Sequence, residues 1–317
     1  FGANSSAYVL VDGFERSMDE INIEDIETFT VLKDASATAI YGSKGANGVV
    51  LITTKRGKAG KIKIDAKVET TYNTRTVTPK FEDGFTYASL MNESRITRNN
   101  EAVYKPEELD ILRLGLDTDL YPNVDWIDET FRDMGVSNKY NIEFTGGGSK
   151  FRYYAMLGLM TDKGFVANTN MNDGYSTQDK YSSANLRTNL DIDLTSTTKL
   201  KLNLLGSLSE SSRPGTSSTD LWDMVYSIPS AAFPILSDDG SWGGSSTWSG
   251  TMNPVAQSQG AAYSKGHTRS LLADLTLSQD LSGLVKGLGV SFRLAYDNYS
   301  SIWEDHSKTY AYRGYTP

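Results

Sequence analysis

Between Lys61 and Tyr72 apolar and polar residues alternate: Ile62, Ile64, Ala66, Val68, Thr70 and Tyr72 share one face, while Lys61, Lys63, Asp65, Lys67, Glu69 and Thr71 share the other. The period of two returns at Tyr140/Ile142/Phe144, at Phe151/Tyr153/Ala155/Leu157/Leu159, and at Ala184/Leu186/Thr188/Leu190/Ile192/Leu194. It recurs at Leu200/Leu202/Leu204, Leu271/Ala273/Leu275/Leu277 and Leu288/Val290/Phe292/Leu294/Tyr296. These runs predict seven strands, each apolar on one face.

The connections between them alternate in length. Gly146-Gly147-Gly148-Ser149, Ser196-Thr197-Thr198 and the stretch from Asp280 to Gly287 are short, whereas 73–138, 162–181 and 209–268 are long. Long loops all at one end are expected of a membrane barrel with short periplasmic turns, and a soluble sandwich has no reason for them. In a barrel, Ile62, Ile64, Val68, Leu186, Leu190 and Ile192 face lipid; in a sandwich they face a second sheet. The first long connection predicts helices over Tyr87 to Arg98 and after Pro106-Glu107-Glu108, where proline suits a first helical position.

Residues 1–58 follow a different grammar. Tyr8-Val9-Leu10-Val11 is a short apolar strand ended by the turn pair Asp12-Gly13, and Asn22 to Asp25 bring acids that suit a helix start. After the run Ile26 to Leu32, the small residues of Lys33 to Ile40 predict a short helix that Gly42 stops in a left-handed cap. Gly48 to Thr54 is a β-branched strand, so a compact α/β module precedes the alternating region.

Composition narrows the function classes. Lys and Arg number 31 against 39 Asp and Glu, and a net charge of −8 leaves no excess cation for a nucleic-acid partner. The absence of cysteine removes disulfide frameworks, thiolate zinc sites and thiol nucleophiles. No window reaches the roughly 18 consecutive apolar residues of a spanning helix, and the mean hydropathy of −0.39 also fits barrel strands, which are apolar on one face only. Tyrosine is frequent (18) and proline scarce (8), as long antiparallel strands with interfacial aromatics require. Tyr72, Tyr140, Tyr153 and Tyr296 are expected near strand ends in such a girdle. Phe1-Gly2-Ala3 has neither a basic nor an apolar leader, so a signal peptide is either cleaved or lies outside this chain.

The stretch from Asp25-Ile26-Glu27 through Val31-Leu32-Lys33-Asp34-Ala35-Ser36-Ala37-Thr38-Ala39-Ile40-Tyr41-Gly42-Ser43-Lys44-Gly45-Ala46-Asn47-Gly48-Val49-Val50-Leu51-Ile52-Thr53-Thr54-Lys55 resembles the end of the plug domain in SusC/RagA-type TonB-dependent outer-membrane transporters. Val9-Leu10-Val11-Asp12-Gly13 matches that family's "VDG" step, and Val124-Asp125-Trp126, Gly146-Gly147 and Arg152-Tyr153-Tyr154 resemble its early barrel segments. The resemblance implies a mainly β fold: residues 1–58 as the C-terminal part of a plug, and 59–317 as the first up-and-down strands of a roughly 22-stranded barrel, about seven of them here. It also implies active import of oligosaccharides or peptides, with no enzyme activity and no cofactor. The implied partners are TonB, acting through a plug segment outside this chain, a SusD-like lipoprotein and outer-membrane lipid. Siderophore-type receptors share a looser form of the plug ending, and a soluble all-β glycan-binding module and a glycosidase are the alternatives from other classes.

Candidate residues follow from both readings. Asp12, Gly13, Tyr41, Gly42, Gly45 and Gly48 carry the plug signature. The three latter glycines lack the spacing of a phosphate-binding loop and read as tight turns. Lys33 and Asp34 are either rupturable plug–barrel contacts or helix-end caps. Trp222, Trp242 and Trp248, in a Gly- and Ser-rich loop, either stack on a ligand or partner or anchor the loop. No metal site is expected: Asp117, Asp119, Asn123 and Asp125 resemble a calcium loop, but Pro122 stands where that loop needs glycine. His267 and His306 lie too far apart in sequence to suggest zinc or triad chemistry, and the adjacent pairs Glu107-Glu108 and Asp238-Asp239 cannot flank a glycosidic bond.

Overall fold

The computed structural model describes residues 7–34, 39–167 and 175–315. Strands β1 (Tyr8–Val11), β2 (Phe14–Glu15), β3 (Ile26–Leu32) and β4 (Val49–Thr54) form a small sheet in the order β2-β1-β4-β3. Asp12 (φ 50°) and Gly13 (φ 88°) form the two-residue turn between β1 and β2, and positive φ at both positions is what a type I′ hairpin demands. Two single 3-10 turns, Met18–Glu20 and Ile23–Asp25, follow β2, capped by the Ser17 and Asn22 side chains. The run Ile26–Leu32 is a strand, paired antiparallel with β4, because its alternate apolar residues can lie along a neighbour there. The predicted helix over 33–40 lies partly outside the described residues. The helical stretch present is a 3-10 segment, Ala39–Gly45, broken at Gly42, whose φ of 60° and ψ of −146° are not those of a left-handed cap.

The seven predicted strands are all present and longer than their apolar runs: β5 (Gly60–Thr74), β6 (Met134–Gly147), β7 (Phe151–Lys163), β8 (Lys180–Asp193), β9 (Thr198–Pro214), β11 (Tyr263–Asp280) and β12 (Gly289–Asp305). They form one antiparallel sheet in the order β12-β11-β9-β8-β7-β6-β5, sequential neighbours being joined by hairpins or long loops. Of the four tyrosines expected at strand ends, Tyr72 and Tyr153 lie near ends. Tyr140 and Tyr296 fall mid-strand, since hydrogen bonding extends each strand beyond the alternation that marks it. At the other end, the first long loop carries α1 (Gly84–Thr97), α2 (Pro106–Leu114) and α3 (Trp126–Thr130). The third carries α4 (Ser218–Ser227), β10 (Trp242–Ser245) and α5 (Pro254–Gly260), and β10 pairs parallel with β13 (Tyr312–Tyr315) after β12. Helices α3, α4 and α5 and the chain beside them share an apolar core of Trp126, Phe131, Val166, Leu221, Val225, Phe233 and Val255.

The large sheet is inverted relative to a soluble domain. Its apolar face is open, with Ile62 and Ile64 each 57% exposed, Leu186 49% and Leu159 44%, and Leu190 and Ile192 partly covered. The polar face is enclosed: Arg187, Asn189, Asn203 and Asp274 are each at most 5% exposed. A sandwich would cover the apolar side with a second sheet, and none covers it among the described residues. The small sheet instead packs on the polar side.

That exposed face is expected to require hydrocarbon. In the full-length protein folded into lipid vesicles, Leu186→Arg should lower unfolding stability by about 2–4 kcal/mol, the cost of a cation at bilayer mid-depth. Thr188→Ala should have little effect, and urea titration of both variants measures the difference.

Candidate functional site

The register of the large sheet sets its inward side chains in rows. Glu143, Met156, Arg187, Leu205, Leu272 and Asp297 form one row, and Tyr154, Asn189, Asn203 and Asp274 the next toward the short turns. The small sheet lies against these two rows. Val11, Ile21, Val50 and Ile52 pack on Leu205 and Leu272, the apolar part of the seam. Burying one leucine is worth about 1.5–3 kcal/mol, so two wall leucines make a modest tie.

Charged groups surround that patch. Asp25, fully buried, accepts hydrogen bonds from Arg187 Nε at 2.9 Å and from the Tyr154 hydroxyl at 3.0 Å. Burial pushes the Asp25 carboxyl above its ordinary range, and the Arg187 charge and both hydrogen bonds pull against it. Arg16 donates to Asp274 at 2.6 Å and, through Nη2, to Asp297 at 2.7 Å. Burial lowers the Arg16 pKa, but the two carboxylates outweigh it and hold the guanidinium above its usual value. Arg56 donates to Asp191 at 2.7 Å and to Asn203 at 2.8 Å, and Lys55 reaches Glu143 at 2.8 Å.

Asp12 extends the network from within. Its carboxylate accepts from the Thr54 backbone N–H at 3.0 Å and the Thr54 hydroxyl at 2.6 Å, and Asn189 Nδ2 donates to that hydroxyl oxygen at 2.8 Å. The hairpin turn is thus connected to the wall through one side chain. Where the loop around Asn22 meets the wall, Gly158 leaves room for three asparagine side chains: a Cβ there would lie 2.5 Å from Asn185 Oδ1, 2.9 Å from Asn141 Oδ1 and 3.1 Å from Asn22 Nδ2. Arg187 Nη2 and Asn189 Oδ1 are buried without a hydrogen-bond partner among the described residues, so water entering a separated seam would offset part of the cost of parting it.

The other residues singled out by the sequence lie elsewhere. Tyr41 meets Tyr8 edge-on at 6.2 Å, Gly45 is buried, and Gly48 has a φ of 96° just before β4. Lys33 and Asp34 are exposed just after β3. Trp222 stacks on Phe131 at 4.0 Å, Trp242 meets Tyr310 at 6.2 Å, and all three loop tryptophans pack against the loop core while remaining partly exposed. Sequence reasoning missed Arg16, Asp25, Arg56 and Arg187. The available signal was a charge in the middle of an otherwise ordinary strand face, at Arg187 and Asp191, and cations at Lys55-Arg56 directly after a buried strand.

The TonB-dependent Receptor Plug Domain family matches residues 1–49. TonB-dependent receptor P26 of Formosa agariphila is 30% identical over 266 residues, which is 80% of this chain and 24% of that protein. TonB-dependent receptor P39 of the same organism is 35% identical over 175 residues (54% and 16%), and TonB-dependent receptor SusC of Bacteroides thetaiotaomicron is 36% identical over 162 (50% and 14%). The chain therefore spans at most about a quarter of these relatives. Its fold is that of the RagAB peptide transporter structure, with a TM-score of 0.69 over 95% of this chain and 35% of that one, at 21% identity. The closed-closed state of the RagAB importer gives 0.71.

Arg187→Met should destabilise the seam by about 3–5 kcal/mol by stranding a buried carboxylate, and adding Asp25→Leu should recover most of that loss. A double-mutant cycle on thermal unfolding measures both effects. The raised Asp25 carboxyl adds a pH dependence: between its ordinary and folded pKa the folded chain holds a proton that the unfolded chain has released, so its contribution to stability falls as pH rises through that window. This slope should vanish in Asp25→Asn.

Proposed function

We propose that this chain, a segment of a TonB-dependent receptor of the SusC/RagA type, serves active import, and that the seam between its plug sequence and its barrel strands is the part of the gate that parts during import. The boundary we assign places residues 1–58 in the plug and 59–317 in the wall. The receptor would lie in the outer membrane, with its apolar strand face in lipid, and would take up oligosaccharides or peptides delivered by a SusD-like lipoprotein. TonB would supply the work by drawing on a plug segment outside this chain. The loop tryptophans Trp222, Trp242 and Trp248 are proposed to present their exposed edges to that lipoprotein or to the ligand.

The observation that carries the reading is the seam between plug and wall. A resting gate must hold against random opening and yet release under a pull. A large apolar interface would hold too well, because water cannot replace its contacts. Here a small apolar patch is ringed by Asp25–Arg187, Arg16–Asp274, Arg56–Asp191 and Lys55–Glu143, whose charges regain hydration as the surfaces part. Asp12 and Gly13 fix the turn that holds Thr54 in reach of Asn189, and Tyr41, Gly42, Gly45 and Gly48 shape the approach to β4. Lys33 and Asp34 are proposed to make contacts of the same kind with wall strands outside this chain.

A Thr54→Cys/Asn189→Cys pair in the full-length receptor, bridged by a short bifunctional thiol reagent, should abolish uptake in whole cells without lowering receptor abundance, and a reducible bridge should restore it on reduction. Undiminished uptake with the bridge in place would remove the gating role from this seam. Lys33→Ala and Asp34→Ala are expected to reduce uptake; unchanged uptake with lowered plug stability would make them structural.

A further inference from the structure

On the long-loop side of the seam the chemistry of the inner wall changes. The next two rows are Lys67/Asn141/Gly158/Asn185/Ser207/Ser270/Tyr299 and Glu69/Lys139/Met160/Ser183/Ser209/Thr268/Ser301. From β7 across to β12 neither row holds a charged residue, in contrast to the rows below. The 3-10 turns at 18–25 stand off from this surface and leave a cavity of about 840 Å³, within the roughly 300–1,000 Å³ usual for ligand sites.

The lining is dense in neutral hydrogen-bonding groups. Ser183, Ser207, Ser209, Thr268 and Ser270 supply hydroxyls, and Asn141 and Asn185 supply amides. Asn141 is 7% exposed, and Asn185 Oδ1 is buried with no partner among the described residues. The charges at the rim are unbalanced: Asp19, Glu20, Glu24 and Glu69 face only Lys67 and Lys139. Lys67 is occupied by Glu24 at 2.8 Å and Glu69 at 3.2 Å. The lining holds no arginine.

Resting on the import reading above, we propose that this cavity is a binding site for an uncharged, hydroxyl-rich ligand, a neutral saccharide, and that Asp19 and Glu20 on the plug turn exclude anionic ligands. A sugar hydroxyl can donate to and accept from the wall serines and Thr268, and accept from the amide N–H groups of Asn141 and Asn185, so the neutral groups of the wall serve both hydrogen-bonding roles. A carboxylate or sulfate finds no guanidinium fork and meets like charge instead. An extended peptide would need an unpaired strand edge or apolar side-chain pockets, and the wall strands at this level are hydrogen-bonded on both sides from β6 to β11.

The test uses the full-length receptor purified in detergent, applied to an array of neutral, uronate-containing and sulfated oligosaccharides and to a peptide array. Binding is expected on neutral saccharides only. Titration of the bound sugar should weaken about tenfold in Asn185→Leu and several-fold in Thr268→Val, the loss of one or two buried hydrogen bonds. Asp19→Asn/Glu20→Gln should leave neutral binding unchanged and raise binding of the uronate or sulfated counterpart about tenfold at low salt, less at high salt. Heat-modifiable gel mobility confirms that each variant is folded. Equal binding of anionic sugars or peptides, no neutral binder, or unchanged affinity in both wall variants would overturn the proposal. TonB-dependent uptake of a peptide or anionic sugar in cells would do so while leaving the import reading intact, whereas TonB-independent uptake would overturn that reading itself.

Discussion

Charges enclosed between two sheets must be paired across the gap, since an unpaired buried ion costs several kcal/mol. The large sheet turns its polar face inward, so without the small sheet Arg187, Asp191 and Asp274 would lose their partners across the gap, Asp274 keeping only its hydrogen bond from Asn203. With it, they hold Asp25, Arg56 and Arg16 in fixed places. Everything else about the seam follows from this pairing. The hairpin turn at Asp12-Gly13 positions Thr54, the 3-10 turn at 23–25 delivers Asp25, and Gly158 clears room for the loop around Asn22.

The same inversion explains why the outer face is apolar and open. A strand with one charged and one apolar face can bury only one of them in water-soluble surroundings. Burial of the charged face is favourable when a second sheet brings complementary charges and when the apolar face meets hydrocarbon. The two halves of the molecule are therefore coupled. The alternation that suits a membrane on one side creates on the other the polar rows that seat the plug and, higher up, the neutral rows that line the cavity.

Energetically the seam favours specificity over strength. Leu205 and Leu272 contribute a small area, and ion pairs trade solvation for Coulomb attraction with little net gain. Such an interface fixes one arrangement and gives it up when water can enter. The loop end is built differently. Trp126, Phe131, Leu221 and Phe233 form a continuous apolar core, so the loops are held as one body over the sheet rather than as separate strands of chain.

The alternation along the chain was sufficient to determine the seven wall strands, the side of each that is apolar, the short and long connections and two of the loop helices, because side-chain period is a local property of the backbone. The plug wording around residues 25–55 was equally legible. What sequence could not supply was the partner of each charge. Asp25 and Arg187 are 162 positions apart, and nothing local to either distinguishes a buried ion pair from two solvated residues. The strand at 26–32 was missed for a related reason: its pairing with β4 is set by the neighbouring strand and not by its own composition. The tryptophans of the long loop were visible as aromatics, but their packing on Phe131 and the loop core depends on segments nearly a hundred residues apart meeting in space. Periodicity decided the elements and their faces; only the tertiary structure, by bringing distant charges into one enclosed gap, decided which residues hold the plug to the wall.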